Sequence, residues 1–276
     1  MTSQTSQTSQ TPQTIRIGLS QLENRADTAE NARIIGDAMT RWAALGAEVV
    51  AFPECALTGF SARPGACDVE TLRHTLDALH QRAMALGVSA LIPSARRDDA
   101  GGVWNSAWAL GADGARARFD KQGLTDSERL FFQAPDAPTP RAFTHGPLRL
   151  GLLFCREVAD APEAHVRAED VDVVLWPAYW AWGDTMRWDA PDSALHQGAR
   201  ACLDAWRRPV LQINFAGNAL DDPRPGSPDG RSVVVSANNT MLHKGLARSG
   251  CGVLVTLARP KPDDAWAVTS CEDVAL

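Results

Sequence analysis

The sequence predicts a single α/β domain built on a mixed sheet or a pair of sheets. Short β-branched or apolar runs alternate with longer amphipathic segments through the early and middle chain, and strand-like runs crowd its last part. Leu148–Phe154 is an apolar run of the kind expected for a strand covered on both faces. With 276 residues, no interdomain linker and no repeat beyond residue 14, the chain fits one domain spanning residues 15–276.

Residues 1–14 repeat Thr-Ser-Gln, carry almost nothing apolar and lack the basic and hydrophobic segments of a secretory signal. They read as a disordered polar tail. Ile15–Leu19 then reads as a strand and Thr28–Leu45 as a helix with apolar residues at helical spacing. Glu48–Phe52 is a strand ended by Pro53; Val69–Leu86 is a helix closed by Gly87; Ser89–Pro93 is the next strand. Trp104–Leu110 and Ala115–Asp120 flank Gly111-Ala112-Asp113-Gly114, which marks a hairpin. After Leu148–Phe154 the pattern predicts a helix over Ala161–Ala168, a buried strand at Val171–Trp176, a helix at Asp192–Trp206 and a strand at Val210–Phe215. Ser232–Ser236, Thr240–His243 and Gly252–Leu257 are expected to end the domain as short strands.

Composition narrows the function classes. Twenty-seven Lys and Arg against 33 Asp and Glu give a net charge of −6, so no basic excess points to nucleic acid. No apolar run approaches the roughly 18 residues that span a bilayer. Six widely spread cysteines form no CxxC pair, and the six histidines show no ligand spacing such as HExxH. The expectation is a cytoplasmic protein with no metal, no cofactor and no membrane or nucleic-acid partner.

Three residues stand at predicted strand ends, where α/β folds place their chemistry. Glu54 directly follows the apolar Val49-Val50-Ala51-Phe52-Pro53, where burial raises a carboxyl pKa and suits it to proton transfer. Its plain alternative is a cap on the next turn. Lys121 ends the hairpin strand; an ammonium there stabilises a tetrahedral oxyanion, and the plain alternative is a solvated lysine. Cys155 leaves the buried run Gly151-Leu152-Leu153-Phe154, where turn N–H groups favour thiolate and oxyanion together. Its plain alternative is a core cysteine. Jointly they name a Cys nucleophile, a Glu base and a Lys oxyanion donor.

That order and those flanks resemble the carbon–nitrogen hydrolase (nitrilase-like) superfamily. The likeness runs from Ile15 to about Leu257 and includes Phe52-Pro53-Glu54 with Leu57-Thr58-Gly59, Asn105-Ser106-Ala107, Phe119-Asp120-Lys121, Pro177-Ala178-Tyr179-Trp180, Ala199-Arg200-Ala201 and Asn214-Phe215-Ala216-Gly217. The resemblance implies a four-layer α-β-β-α sandwich, a cofactor-independent amidohydrolase with a Glu-Lys-Cys triad, and a homodimer or larger homo-oligomer. It adds Glu128 as a second active-site glutamate that positions substrate and supports the lysine. Gly123 stands where many members carry histidine, and Arg156-Glu157 replaces an aromatic-acidic pair. Nitrile-hydrolysing relatives usually carry Trp directly after the nucleophile; Arg156 in that place tilts the reading toward a small-molecule amide or carbamoyl substrate. A nitrile hydrolase and a non-catalytic binding module are the alternatives.

Trp176, Tyr179, Trp180, Trp182 and Trp188 crowd one segment. They form either an aromatic wall around the substrate, with Tyr179 and Trp180 nearest the thiol, or a packed loop or interface. Arg156, Tyr179 and Trp180 are the candidate substrate-binding residues, and Asp184 or Arg187 is placed to meet a charged substrate end.

Overall fold

In the computed structural model, which describes residues 12–61, 68–137, 141–160, 162–182, 187–191, 194–220, 230–248 and 250–276, two β-sheets stack face to face. The first half supplies β1 (Gln13–Gln21), β2 (Glu23–Asn24), α1 (Thr28–Ala44), β3 (Val49–Ala51), α2 (Val69–Leu86), β4 (Ser89–Arg97), β5 (Val103–Leu110) and β6 (Arg116–Asp120). The second supplies β7 (Ala142–His145), β8 (Leu148–Leu152), β9 (Val173–Ala178), α3 (Ala194–Trp206), β10 (Val210–Asn214) and β11 (Gly217–Asn218). It closes with β12 (Val233–Val235), β13 (Met241–Lys244), β14 (Cys251–Arg259) and β15 (Ala267–Ala275). One sheet runs β15-β14-β1-β3-β4-β5-β6, the other β13-β12-β10-β9-β8-β7, and β2 pairs with β11 as a small separate ladder.

Strand periodicity sorts the side chains into layers. Val49 and Ala51 join Ile17, Leu91, Leu150, Leu175 and Ile213 between the sheets. Val50, between them in sequence, faces the other way with Ile35, Met39, Leu72 and Leu76 of α1 and α2. On the far side, Val174 and Trp176 pack with Ala199, Leu203 and Trp206 of α3. The layer order is therefore α-β-β-α, as the resemblance implied. Asp27 and Asp68 begin the two outer helices by accepting the N–H groups of Glu30 at 3.0 Å and Thr71 at 2.8 Å.

Trp42 fixes α1 to the sheet. Its indole is fully buried, donates to Ser20 Oγ at 2.7 Å and lies on bare backbone. A Cβ at Gly18 would come within 2.4 Å of Trp42 Cδ2, which is why a residue without one stands there. Trp42→Ala is expected to cost about 3–5 kcal/mol as lost burial plus cavity, read as a lower denaturation midpoint at unchanged m-value. A midpoint shift under 1 kcal/mol, roughly the scatter of surface changes, would contradict this packing account.

Three features depart from the expected elements. The first strand begins at Gln13, inside the predicted tail, of which residues 1–11 lie outside the described residues. Single 3-10 turns at Cys155–Val158, Pro162–Ala164 and Ala168–Asp170 replace the helix expected over Ala161–Ala168. Pro162 has no N–H to give to an earlier carbonyl and disfavours helical backbone in the residue before it. The edge strands β7 and β15 were not expected, and β15 lies beyond the last predicted strand, which ends at Leu257. Its partly exposed residues alternate only weakly. Among the described residues no helix is long and apolar enough to cross a membrane.

The topology gathers the expected site at one edge. β4, β5 and β6 are successive antiparallel neighbours, so β6 runs in the direction of β4 and of its parallel neighbour β3. Glu54 follows β3 and Lys121 follows β6 at that same edge. In the second sheet β8, β9 and β10 are parallel, and their exits carry Cys155, Tyr179 and Phe215.

Candidate active site

Lys121 is buried between two carboxylates. Its Nζ donates to Glu54 Oε1 at 2.8 Å and to Glu128 Oε1 at 2.7 Å. Its backbone N–H is held by the Asn105 carbonyl at 2.7 Å, which fixes the end of the hairpin. Glu128 opens a 3-10 turn closed locally: its Oε2 accepts the Thr125 N–H at 2.8 Å, and its own N–H reaches Thr125 Oγ1 at 3.2 Å. Burial acts to lower the Lys121 pKa, but Glu128, Glu54 and Cys155 outweigh it and hold the ammonium charged well above its ordinary range.

The two oxygens of Glu54 have unequal surroundings. Oε1 also accepts from Asn105 Nδ2 at 2.8 Å, while among the described residues no donor reaches the buried Oε2. Burial raises the Glu54 pKa against the pull of Lys121, and Glu128 raises it further. This carboxyl therefore holds one atom in a fixed frame and leaves the other able to take a proton. In the sequence, Asn105 stands out only as part of the segment Asn105-Ser106-Ala107. Its signal is a lone amide on a strand whose following residues, Ser106 to Leu110, are all buried. Cys55, the residue after Glu54, in turn donates to Asn105 Oδ1 at 3.4 Å, so the amide's orientation is set from both ends.

Cys155 lies on the turn after β8 with φ of +38°, in the left-handed region. A side chain there costs about 1–2 kcal/mol, and the surroundings hold it: the Trp176 indole donates to the Cys155 carbonyl at 2.7 Å. Its Sγ donates to the Tyr179 carbonyl at 3.6 Å. Burial and the negative charge of Glu54 push the thiol well above its ordinary pKa, although Lys121 pulls it down. The resting sulfur is protonated at neutral pH.

The structure thus joins Glu54, Lys121 and Glu128 by direct hydrogen bonds and sets Cys155 within their field. Tyr179 reaches the thiol through its carbonyl, and its ring packs between Phe60 and Phe215, with centroids 5.0 and 6.0 Å away. Phe60 is held by Asn24, which both donates to its carbonyl and accepts its N–H. Trp180 lies elsewhere. Its ring packs on Trp176, Trp182 and His196 beneath α3, and its N–H donates to His196 Nε2 at 2.7 Å. Trp182 and Trp188 likewise give their N–H groups to Gln212 and Asn239. The tryptophan cluster is packed core, and Asn214 ties the Trp180 backbone in place through both its N–H and its carbonyl. The Arg156 side chain turns outward to Asp160 at 2.5 Å, leaving only its backbone beside the thiol. Arg187 pairs with Asp189, and Asp184 lies outside the described residues. Among the described residues no group of three or more His, Cys, Asp or Glu is arranged to hold a metal.

The model of the carbon-nitrogen hydrolase family matches residues 16–203. The chain belongs to this family. No curated protein matches it in sequence. Among solved structures, this carbon–nitrogen hydrolase is similar to an amidase from Nesterenkonia sp., at 23% identity and a TM-score of 0.69 over 89% of this chain and 90% of that one. It is also similar to a carbon-nitrogen hydrolase from Helicobacter pylori, at 16% identity and a TM-score of 0.73 over 88% of each chain. A glutamine-dependent NAD+ synthetase from Acinetobacter baumannii matches 96% of this chain over 49% of its own length, at 15% identity and a TM-score of 0.72. Mutants of the Nesterenkonia amidase are described in complex with butyramide and with the acetamide moiety of fluoroacetamide on the active-site cysteine. The nitrilase-like fold and the hydrolase class of this chain follow.

Proposed function

We propose that this hydrolase cleaves the non-peptide C–N bond of a small amide or carbamoyl compound through a thioester on Cys155. The observation that carries the reading is the Lys121 ammonium fixed between Glu54 Oε1 and Glu128 Oε1 while, among the described residues, no donor engages Glu54 Oε2. Glu54 Oε2 takes the thiol proton as sulfur attacks the carbonyl carbon. Lys121 Nζ and the backbone N–H of Arg156 hold the oxyanion that forms. Glu54 passes its proton to the nitrogen, the C–N bond breaks, and ammonia or an amine leaves. Water then gives a proton to Glu54 and its hydroxyl to the thioester carbon. The second tetrahedral species expels the Cys155 thiolate, which recovers the proton from Glu54. One amide and one water become one acid and one amine, with no other reactant.

Glu128 fixes Lys121 and leaves Glu54 as the proton carrier. Support for an amide over a nitrile comes from Arg156, whose place directly after the sulfur is usually Trp in nitrile-hydrolysing relatives. A panel of small amides, carbamoyl compounds and nitriles, with ammonia release as readout, tests the class. Turnover confined to nitriles would overturn the amide reading, and silence across the panel would favour a non-catalytic relative.

Glu54→Gln keeps an acceptor for Lys121 and Asn105 but no carboxylate. It is expected to fold and to slow acylation by about 10²–10⁴-fold, measured as loss of the pre-steady-state burst. A normal burst would contradict the role of Glu54 as base. In the parent, activity requires ionised Glu54 and is lost as pH falls through its raised pKa. The acid limb of kcat/KM is therefore expected above the ordinary carboxylate range, near 4.3.

A further inference from the structure

Glu157 is buried and its carboxylate accepts four hydrogen bonds. Oε1 takes the N–H groups of Gln122 and Gly123, each at 2.9 Å. Oε2 takes the Phe154 N–H at 2.8 Å and Arg141 Nη2 at 2.5 Å. Gln122 and Gly123 are the two residues after Lys121, and Phe154 is the residue before Cys155. One carboxylate therefore ties the backbone that carries the ammonium to the backbone that carries the thiol. The turn that keeps Cys155 at φ of +38° is closed by the Glu157 backbone, whose N–H returns to the Phe154 carbonyl at 2.8 Å.

The neighbours fit this join. A Cβ on Gly123 would fall 2.8 Å from Glu157 Cγ, so a side chain there would push the carboxylate off the lysine loop. Arg141 reaches the Asp120 carbonyl with its other nitrogen at 3.4 Å and lies over the Phe154 ring at 5.1 Å. His165 Nδ1 meets Gln122 Oε1 at 2.8 Å. The titratable groups facing Glu157 are thus Arg141 and His165. Burial acts to raise the Glu157 pKa, but Arg141, His165 and the N–H donors of Gly123 and Phe154 bring it to about 2, so the join stays ionised through the working range.

We propose that Glu157 is a positioning residue: its carboxylate, shared between the loops after Lys121 and before Cys155, sets the ammonium and the thiol in register for attack. It touches neither substrate nor the reacting atoms. The proposal rests on the thioester reading, and a readout that needs no substrate tests it separately.

Among the charges that act on Cys155, those of Glu54 and Glu128 raise its pKa and that of Lys121 lowers it. In Glu157→Gln the amide cannot accept all four donors, so the lysine loop loses its anchor while Glu54, carried by the β3 exit, stays. The pH profile of Cys155 alkylation by iodoacetamide, followed by intact mass, is expected to move to higher pH. A displacement of one pH unit slows alkylation about tenfold below the titration. Gly123→Ala, which presses on Glu157 Cγ, is expected to move it the same way and decides the matter if Glu157→Gln does not fold. A merely structural role predicts an unmoved profile, or one displaced downward toward a free thiol as the site opens; either would overturn the proposal. With a turned-over amide, Glu157→Gln is expected to lower kcat about 10²-fold at little-changed KM. An equal parent and variant kcat would overturn it too.

Discussion

Replacing Cys155 with alanine is expected to abolish turnover, by at least ~10⁴-fold, without unfolding the chain. Every later step in the proposed route depends on the carbon–sulfur bond, and among the described residues no other thiol joins the Glu54–Lys121–Glu128 cluster. The buried Cys55 is the nearest in sequence to Glu54, and its sulfur is engaged with Asn105 Oδ1. Alanine keeps the same backbone cost at φ of +38°, because it too carries a Cβ. It also keeps the carbonyl that Trp176 holds. What disappears is the sulfur and its weak bond to the Tyr179 carbonyl, so the thermal midpoint should shift by only a few degrees. Turnover within tenfold of the parent, in protein shown by mass to lack the sulfur, would remove Cys155 from the reaction.

Lys121→Met is expected to produce the largest combined loss. The ammonium satisfies two buried carboxylates at 2.7 and 2.8 Å, and a thioether of similar length satisfies neither. Removing one partner of a buried charged set costs about 3–5 kcal/mol. Loss of the oxyanion donor adds about 10²–10³-fold in rate. Without the cation, Glu54, whose pKa burial and the Glu128 charge already raise, is pushed further above its unfolded value, and its ionisation works against folding. The penalty is full above that raised pKa and is relieved as pH falls toward the unfolded value. The variant's denaturation midpoint should therefore approach the parent's between neutral pH and about pH 5, where an ordinary glutamate begins to protonate. A midpoint equal to the parent's at neutral pH would mean that the three groups are not coupled as their geometry indicates.

Legibility in the sequence tracked how local each signal is. Glu54, Lys121 and Cys155 were readable because each directly follows an apolar or alternating run, so the fold's edge could be located from the chain itself. Glu128 came only from family likeness; its one local sign is Thr125 three residues earlier, which proves to be its backbone partner. Asn105 and Glu157 act through residues 51 and about 34 positions away, and such pairings exist only once the sheets have formed. The tryptophan-rich segment announced burial without direction. Aromatic density says that a surface is covered, and only α3 closing over Trp176, Trp180 and Trp182 says by what. β15 escaped because an edge strand with exposed residues on both faces has no apolar stripe to betray it.

The central claim is that an acyl group is carried on one sulfur. Mixing the parent protein with a turned-over amide, quenching in acid within the burst and mapping the modified peptide by mass tests it most directly. The account predicts an adduct of the acyl mass on Cys155, formed together with one equivalent of ammonia and lost as acid accumulates. Full turnover with no adduct, or an adduct confined to another residue, would contradict it.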